Sequence, residues 1–442
     1  MLHKNVRRMD KREDYLAILT INGVFLKLTG DKIEFFNECK EKEKFSEIKS
    51  EFRKYKEYAQ ELVNLDVLEF EDVHKDDKKI FAIKKDRKLM NYFKEKPAYE
   101  FPIVVHLGIS KACNANCIYC SVRESQKDCI ELSKQEWIRV LEKFKDFGAP
   151  QVGFTGGEPL LRMDILPDLI KHSLKLGFGT NMTTNGILVN DKNVKKLVMA
   201  GLEQCQISLD SHIEEVNDNL RGRGMTKIAL KAIKTLQKHG IVVGVDTVVS
   251  SKNVSQLYDF AEFLDSLGVE YLTLLKLKKG FLNQEVFRGM IPEYEEFGKQ
   301  LLKISNSDLK IQVTVDCAAT NNMQVFTKQE LLQSNIFGCP IGHTLMVVNP
   351  NGDLYPCVAL MNEEFRLGNI TKDNLAEIWY KGKKLKELRR ITNYVSDKCT
   401  KCSRFEICRA SCRGTSYELL GNLKDRDPTC GFRGKNKKIF RR

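Results

Sequence analysis

IVVHLGISKACNANCIYC, residues 103–120, is an apolar, β-branched run followed at once by three cysteines, Cys113, Cys117 and Cys120. The run IVVHLGIS reads as a parallel strand buried by its neighbours. The cysteines then fall on the loop at its C-terminal end, where barrel folds place their chemistry. Thiolates are soft ligands that select zinc or iron–sulfur clusters. A structural zinc site needs a fourth ligand, and Cys129 is the nearest candidate. Yet Cys-x3-Cys-x2-Cys is a rare zinc spacing. Three thiolates on a four-iron cluster leave one iron open to a substrate or cofactor.

Strand and helix signals alternate outward from this point. QVGFTG, TNMTTNG, QCQISLD, VVGVDTVV, EYLTLLK and IQVTVD follow as strand candidates, mostly continuous apolar or β-branched runs. A helix begins at Ser133-Lys134-Gln135-Glu136, which has the pattern of a capping box, and carries Trp137, Val140, Leu141 and Phe144 on one face. Gly148 suits its C-terminal end. Another helix spans Thr226 to His239, with Ile228, Ile233 and Leu236 inward. This βα alternation predicts an α/β fold with a parallel sheet, about six units curving into a partial barrel over residues 101–316.

The flanks differ. Residues 1–87 open with YLAILTI and VFLKLT around Asn22-Gly23, a hairpin signal. Amphipathic helical stretches follow over 43–64, then a strand-like VLEF, then a charged link over 84–100. Residues 317–442 have weak periodicity and eight of the 14 cysteines, as expected of a fragment held by metals.

Composition narrows the class. The N-terminus lacks the apolar core of a signal peptide, and no apolar run reaches the roughly 18 residues of a membrane helix. A cytoplasmic enzyme with no membrane partner is the expectation. In a reducing compartment the cysteines read as ligands before disulfides. The net charge of +13 is spread among nearly as many acids, apart from the tail KNKKIFRR, and reads as a solvated surface. The candidate helix FSEIKSEFRKYKEYAQELV mixes acids and bases, which argues against a nucleic-acid-reading helix.

Cys-x3-Cys-x-aromatic-Cys resembles the signature of radical S-adenosylmethionine (SAM) enzymes. That resemblance implies a [4Fe-4S] cluster on Cys113, Cys117 and Cys120, with SAM chelating the open iron and Tyr119 beside the adenine. Thr155-Gly156-Gly157-Glu158-Pro159 resembles the family's GGE motif, with Gly156 and Gly157 approaching the ligand and Glu158 taking the SAM amino group. Asn185 in Thr-Thr-Asn-Gly, Ser208 and Asp210 in Ser-Leu-Asp, and Arg221 in NDNLRGRG follow at later strand ends. By the same resemblance Ser208 contacts the ribose and Arg221 the SAM carboxylate.

Cys339, Cys357, Cys399, Cys402, Cys408, Cys412 and Cys430, with GDLYPC and LAEIW, resemble the SPASM domain. The family's pattern assigns Cys399, Cys402, Cys408 and Cys430 to an outer auxiliary cluster and Cys339, Cys357 and Cys412 to an inner one. The inner cluster's fourth position is filled by Cys317 or a non-cysteine group, or is open to a substrate thiolate. Cys39 and Cys205 read as buried apolar residues, and His106 and His343 as packed or surface residues rather than ligands.

The N-terminal region resembles the winged-helix-like α+β peptide-recognition domains fused to peptide-modifying radical enzymes. Together these resemblances imply a maturase of a ribosomal precursor peptide with a flavodoxin or ferredoxin-type electron donor; a Cys thioether is the leading expectation, and another peptide modification (carbon–carbon crosslink, epimerisation or decarboxylation) or a small-molecule precursor as substrate is the alternative. A sulfatase-maturating role is disfavoured, because Val358 stands where those enzymes carry Asp.

Overall fold

The computed structural model describes residues 6–11, 16–20, 25–28, 31–64, 68–73, 101–121, 130–280, 282–316, 339, 341–391 and 395–430. Cys129, Cys317, the Asn22-Gly23 pair, the charged link and the basic tail lie outside the described residues.

Three strands open the chain: β1 (Val6–Lys11), β2 (Leu16–Thr20) and β3 (Phe25–Leu28), paired antiparallel in the order β1-β2-β3. The β2–β3 register, Leu16 opposite Leu28 and Leu19 opposite Phe25, is that of the expected hairpin. β1 was not expected. VRRMDK has little strand propensity, and pairing with β2 overrides it.

The helix Asp31–Cys39 was also missed, and the helical stretch over 43–64 divides into two 3₁₀ segments, Phe45–Glu47 and Ser50–Tyr55, and an α-helix, Lys56–Asn64. These bury Phe35, Phe36, Ile48 and Leu62 in a core of their own. VLEF is not a full strand. Phe70 bridges Val73 across a turn, and the Asp72 carboxylate accepts from the N–H groups of Phe45 at 2.5 Å and Ser46 at 2.9 Å.

Among the described residues the main sheet has ten strands, in the order β10-β9-β8-β7-β6-β5-β4-β11-β12-β13. Seven are the expected parallel strands: β4 (Val104–Ser110), β5 (Gln151–Gly156), β6 (Gly179–Thr184), β7 (Gln204–Ser208), β8 (Val242–Val249), β9 (Tyr271–Lys276) and β10 (Gln312–Val315). Helices fill the gaps between them. Ser133 and Glu136 form the reciprocal capping box, Gly148 ends that helix at φ 98°, and Trp137, Val140, Leu141 and Phe144 are buried. In the helix Met225–Lys238, Ala229 and Ala232 join Ile233 and Leu236 inward, and Ile228 is half-buried.

The strands bury one face only. Val105, Leu107, Val152, Phe154, Cys205, Ile207, Val243, Val245, Leu272 and Leu274 belong to the apolar core. The alternate positions, including His106, Asn181, Thr183, Gln206, Ser208, Asp246 and Thr273, are half-buried. The barrel therefore has a polar inner face, unlike the filled interior of a closed barrel.

The C-terminal region is joined to the barrel by a ladder as well as by its cysteines. β11 (Leu345–Val348) pairs parallel with β4, Leu345 opposite Val104 and Val348 opposite Leu107, and β12 (Asp353–Tyr355) and β13 (Gly368–Asn369) extend it antiparallel. Met346, Val348, Leu354, Phe365 and Trp379 share the barrel's core. The expectation of a fragment held by metals alone missed this, because a four-residue strand shows no period of its own.

Candidate active site

The cysteine loop leaves the C-terminal end of β4 and is stitched to the end of β5. Gly157 N–H donates to Ser110 O at 2.7 Å, and Glu158 N–H donates to Ala112 O at 2.8 Å. A Cβ at Gly157 would lie 2.1 Å from Ala112 O, and one at Gly156, where φ is +131°, 2.5 Å from Ser110 O. The two glycines thus admit another stretch of backbone.

Glu158 is buried. Its Oε1 accepts from Leu160 N–H at 3.0 Å and Thr184 Oγ1 at 2.6 Å, and its Oε2 from Asn185 N–H at 2.9 Å. Burial raises its pKa, and these three donors oppose the rise. A carboxylate oxygen has two acceptor sites, so Oε2 keeps capacity for an ammonium donor. Asn185 then turns back toward the cysteine loop. Its Nδ2 donates to Asn114 Oδ1 at 2.8 Å and lies 3.7 Å from Cys113 Sγ.

On the other side, Tyr119, Asp210 and Arg221 form one network. The Tyr119 hydroxyl donates to Asp210 Oδ2. Arg221 Nη2 donates to Asp210 Oδ1 at 3.0 Å, and Nε lies 2.9 Å from Oδ2. The guanidinium also sits 5.6 Å from the centre of the Tyr119 ring. Burial works against charge on Arg221, but the Asp210 carboxylate overcomes it and its pKa is raised. Ile118 N–H to Leu220 O, at 3.0 Å, adds a backbone tie to the same helix. Ser208 ends β7 opposite Asp246 of β8. Thr183 Oγ1 donates to Asp246 Oδ2 at 3.3 Å, and burial lifts the Asp246 pKa to about 6. Asp246 was not singled out in the sequence, where it reads as one polar residue in an apolar strand.

The twelve described cysteines are free thiols. Cys120 acts on both Cys113 and Cys117, and Cys113 on Cys117, each raising a thiol pKa that burial raises first. Cys412 acts in the same way on Cys339 and Cys357, and Cys339 on Cys357, while burial, the largest cause, pushes Cys339 to about 11. Cys408 rises to about 12, by burial first and then by Cys430 and Cys399, while Arg426 senses Cys430, Cys399 and Cys402. The structure thus gathers the C-terminal cysteines into a group of three and a group of four. Cys39 and Cys205 are buried apart from them. His106 faces the barrel interior, and burial followed by Lys278 lowers its pKa to about 4, so it is neutral.

Among the described residues, no three Cys, His, Asp or Glu side chains converge closely enough for a single metal ion. Thiolates with amide N–H neighbours suit an iron–sulfur cluster: Ala115 N–H lies 3.5 Å from Cys113 Sγ and Thr415 N–H 3.4 Å from Cys412 Sγ. Also among the described residues, no helix is long and apolar enough to cross a membrane.

Residues 107–264 match the Radical SAM superfamily, and residues 339–403 match SPASM, an iron–sulfur cluster-binding domain. The mycofactocin maturase MftC of Mycolicibacterium smegmatis is 26% identical over 341 residues, 74% of this chain and 82% of that protein. The Mycobacterium tuberculosis MftC is 24% identical over 74% of this chain and 83% of its own. Streptococcus suis SuiB bound to S-adenosylmethionine superposes with a TM-score of 0.68 at 18% identity, covering 98% of this chain and 100% of SuiB. The anSMEcpe enzyme with bound AdoMet gives 0.58 at 18% identity, over 74% and 93%. Cysteine loop, barrel and C-terminal cysteines together with these matches lead to one conclusion: the chain carries a radical SAM domain followed by a SPASM domain, and these domains imply [4Fe-4S] clusters and SAM.

Proposed function

We propose that the enzyme matures a ribosomally made precursor peptide and closes a thioether between a cysteine sulfur and a carbon of another residue. The observation that carries the reading is the extent of the likeness to SuiB in complex with its precursor peptide SuiA. It spans 98% of this chain with a TM-score of 0.67 and therefore takes in the N-terminal sheet as well as the barrel. Among the described residues, β1 and β3 each pair with β2 alone, so the small sheet has two edges on which a leader peptide can add as a strand.

In this reading Cys113, Cys117 and Cys120 hold the SAM-binding cluster. Glu158 Oε2 and Asn185 shape the amino-group side, Ser208 faces the ribose, and Tyr119 and Arg221 with Asp210 form the opposite wall. Cys399, Cys402, Cys408 and Cys430 hold the outer auxiliary cluster. Cys339, Cys357 and Cys412 hold the inner one, with its fourth position open to the donor thiolate or filled by Cys317. When bound, the clusters and SAM supply a 5′-deoxyadenosyl radical and a sink for the surplus electron.

The test is incubation of the reduced, anaerobically reconstituted enzyme with SAM and the small peptide encoded beside its gene. A product lighter by two hydrogens with one thiol consumed supports the reading. The same mass loss with every thiol intact assigns a carbon–carbon link instead, and an unchanged peptide beside abortive SAM cleavage counts against that substrate.

A further inference from the structure

The helix Arg413–Leu420 begins directly after Cys412 and reaches the barrel mouth. Its Leu419 packs against Leu220, Leu277, Phe287 and Met290, the same apolar group that Tyr119 of the cysteine loop packs against. Glu418, the preceding residue, turns toward the segment after β9, and its Oε1 accepts from Gly280 N–H at 3.3 Å. Its other oxygen, Oε2, is closed off from solvent and takes no hydrogen bond from the protein. Gly280 itself lies against the cysteine loop, where a Cβ would fall 2.6 Å from Ser121 Cα, next to Cys120. The carboxylate therefore stands between the loop of Cys120 and the helix that starts from Cys412.

Its electrical surroundings are mixed. Burial raises the Glu418 pKa, while the backbone N–H groups of Gly280 and Lys279 and the charges of Lys278 and Lys279 lower it. Lys278 also acts on His106 inside the barrel and on Cys357. The segment thus borders the barrel interior and the Cys339, Cys357 and Cys412 group together.

We propose that Glu418 is the proton acceptor for the substrate group that closes the crosslink. This rests on the peptide reading above. The step balances as follows. The acceptor carbon loses its hydrogen atom to the 5′-deoxyadenosyl carbon. The donor S–H proton passes to Glu418 Oε2, and the carbon–sulfur bond forms between thiolate and carbon radical. The one surplus electron leaves to an oxidised four-iron cluster on the C-terminal cysteines. Two hydrogens leave the peptide, one with 5′-deoxyadenosine and one on Glu418.

Glu418→Gln tests this in the full-length, reconstituted enzyme with its precursor peptide. The amide keeps an oxygen for Gly280 N–H but cannot take the proton. The expected result is unchanged iron content and unchanged 5′-deoxyadenosine formation, with crosslinked product per deoxyadenosine down roughly 100-fold or more. Glu418→Asp should recover part of the loss. Product per deoxyadenosine within about threefold of wild type would overturn the proposal, well inside the range a positioned base supplies. So would loss of iron or of SAM cleavage along with product, which marks a structural role. A wild-type enzyme that cleaves SAM but leaves the peptide unchanged refutes the peptide reading before any variant is made, and the Glu418 assignment falls with it.

Discussion

Lys276 Nζ lies 2.5 Å from Asp427 Oδ2, and both side chains are buried. Lys276 ends β9, and Asp427 lies three residues before Cys430. The pair therefore joins the barrel mouth to the C-terminal iron–sulfur region. Burial disfavours both charges, and each overcomes it for the other: the Lys276 pKa is raised and the Asp427 pKa lowered. Asp427 Oδ2 also accepts from Cys412 N–H at 3.3 Å, and Oδ1 from Thr429 N–H at 2.9 Å.

Removing one partner should cost more than removing both. Lys276→Met leaves a buried, unpaired carboxylate, which predicts a loss of about 3–5 kcal/mol in denaturant unfolding. The double variant Lys276→Met, Asp427→Leu should regain most of it. The sign of the acid response follows from Asp427. Its lowered pKa contributes stability above its ordinary value of 3.8, and that contribution is lost as pH falls through the folded value. Wild type should lose the C-terminal iron in that acid window, and an acid-insensitive iron content would contradict the linkage.

Gly157 should be intolerant of any side chain. Its Cβ would meet Ala112 O at 2.1 Å, a backbone atom that can retreat only by moving the cysteine loop. Gly157→Ala is expected to abolish SAM cleavage while the C-terminal clusters keep their iron. Gly289 supplies the control, since a Cβ there meets nothing within 4 Å and the residue sits in the helix Gln284–Met290. Gly289→Ala should leave cleavage intact and stabilise the fold by up to about 1 kcal/mol. Iron content and deoxyadenosine yield of the two variants, measured side by side, check both statements.

Asp246 carries the opposite pH signature from Asp427. Burial raises its folded pKa to about 6, above the unfolded 3.8. Its contribution to stability is present below 3.8 and is lost as pH rises through about 6. Asp246→Asn should therefore melt several degrees higher than wild type in alkaline buffer and at the same temperature in acid. Thermal unfolding on both sides of that window decides it.

Much of the barrel is legible in the sequence, because each parallel strand presents a compact apolar or β-branched run such as QVGFTG or VVGVDTVV and each helix a capped amphipathic face. The order of strand ends then places Cys113, Glu158, Asn185, Ser208 and Arg221 on one rim. The missing pieces depend on distant partners. β1 is a charged hexapeptide that becomes a strand only against β2, and β11 is too short to show a period before β4 pairs with it. Asp246 and Glu418 are single carboxylates whose meaning lies in burial, and burial is set by elements far along the chain. The contact of Gly157 with Ala112 O is likewise hidden, since nothing local in Thr-Gly-Gly-Glu-Pro reveals that backbone overhead.

The central claim is that Cys113, Cys117 and Cys120 hold a cluster that splits SAM. It is tested most directly by counting 5′-deoxyadenosine from anaerobically reconstituted, chemically reduced enzyme, wild type beside the variant with all three cysteines changed to alanine. The account predicts steady deoxyadenosine and methionine from wild type, and none from the variant, which still carries iron on its C-terminal cysteines. Equal yields from the two proteins, or no cleavage by iron-replete wild type, would contradict it.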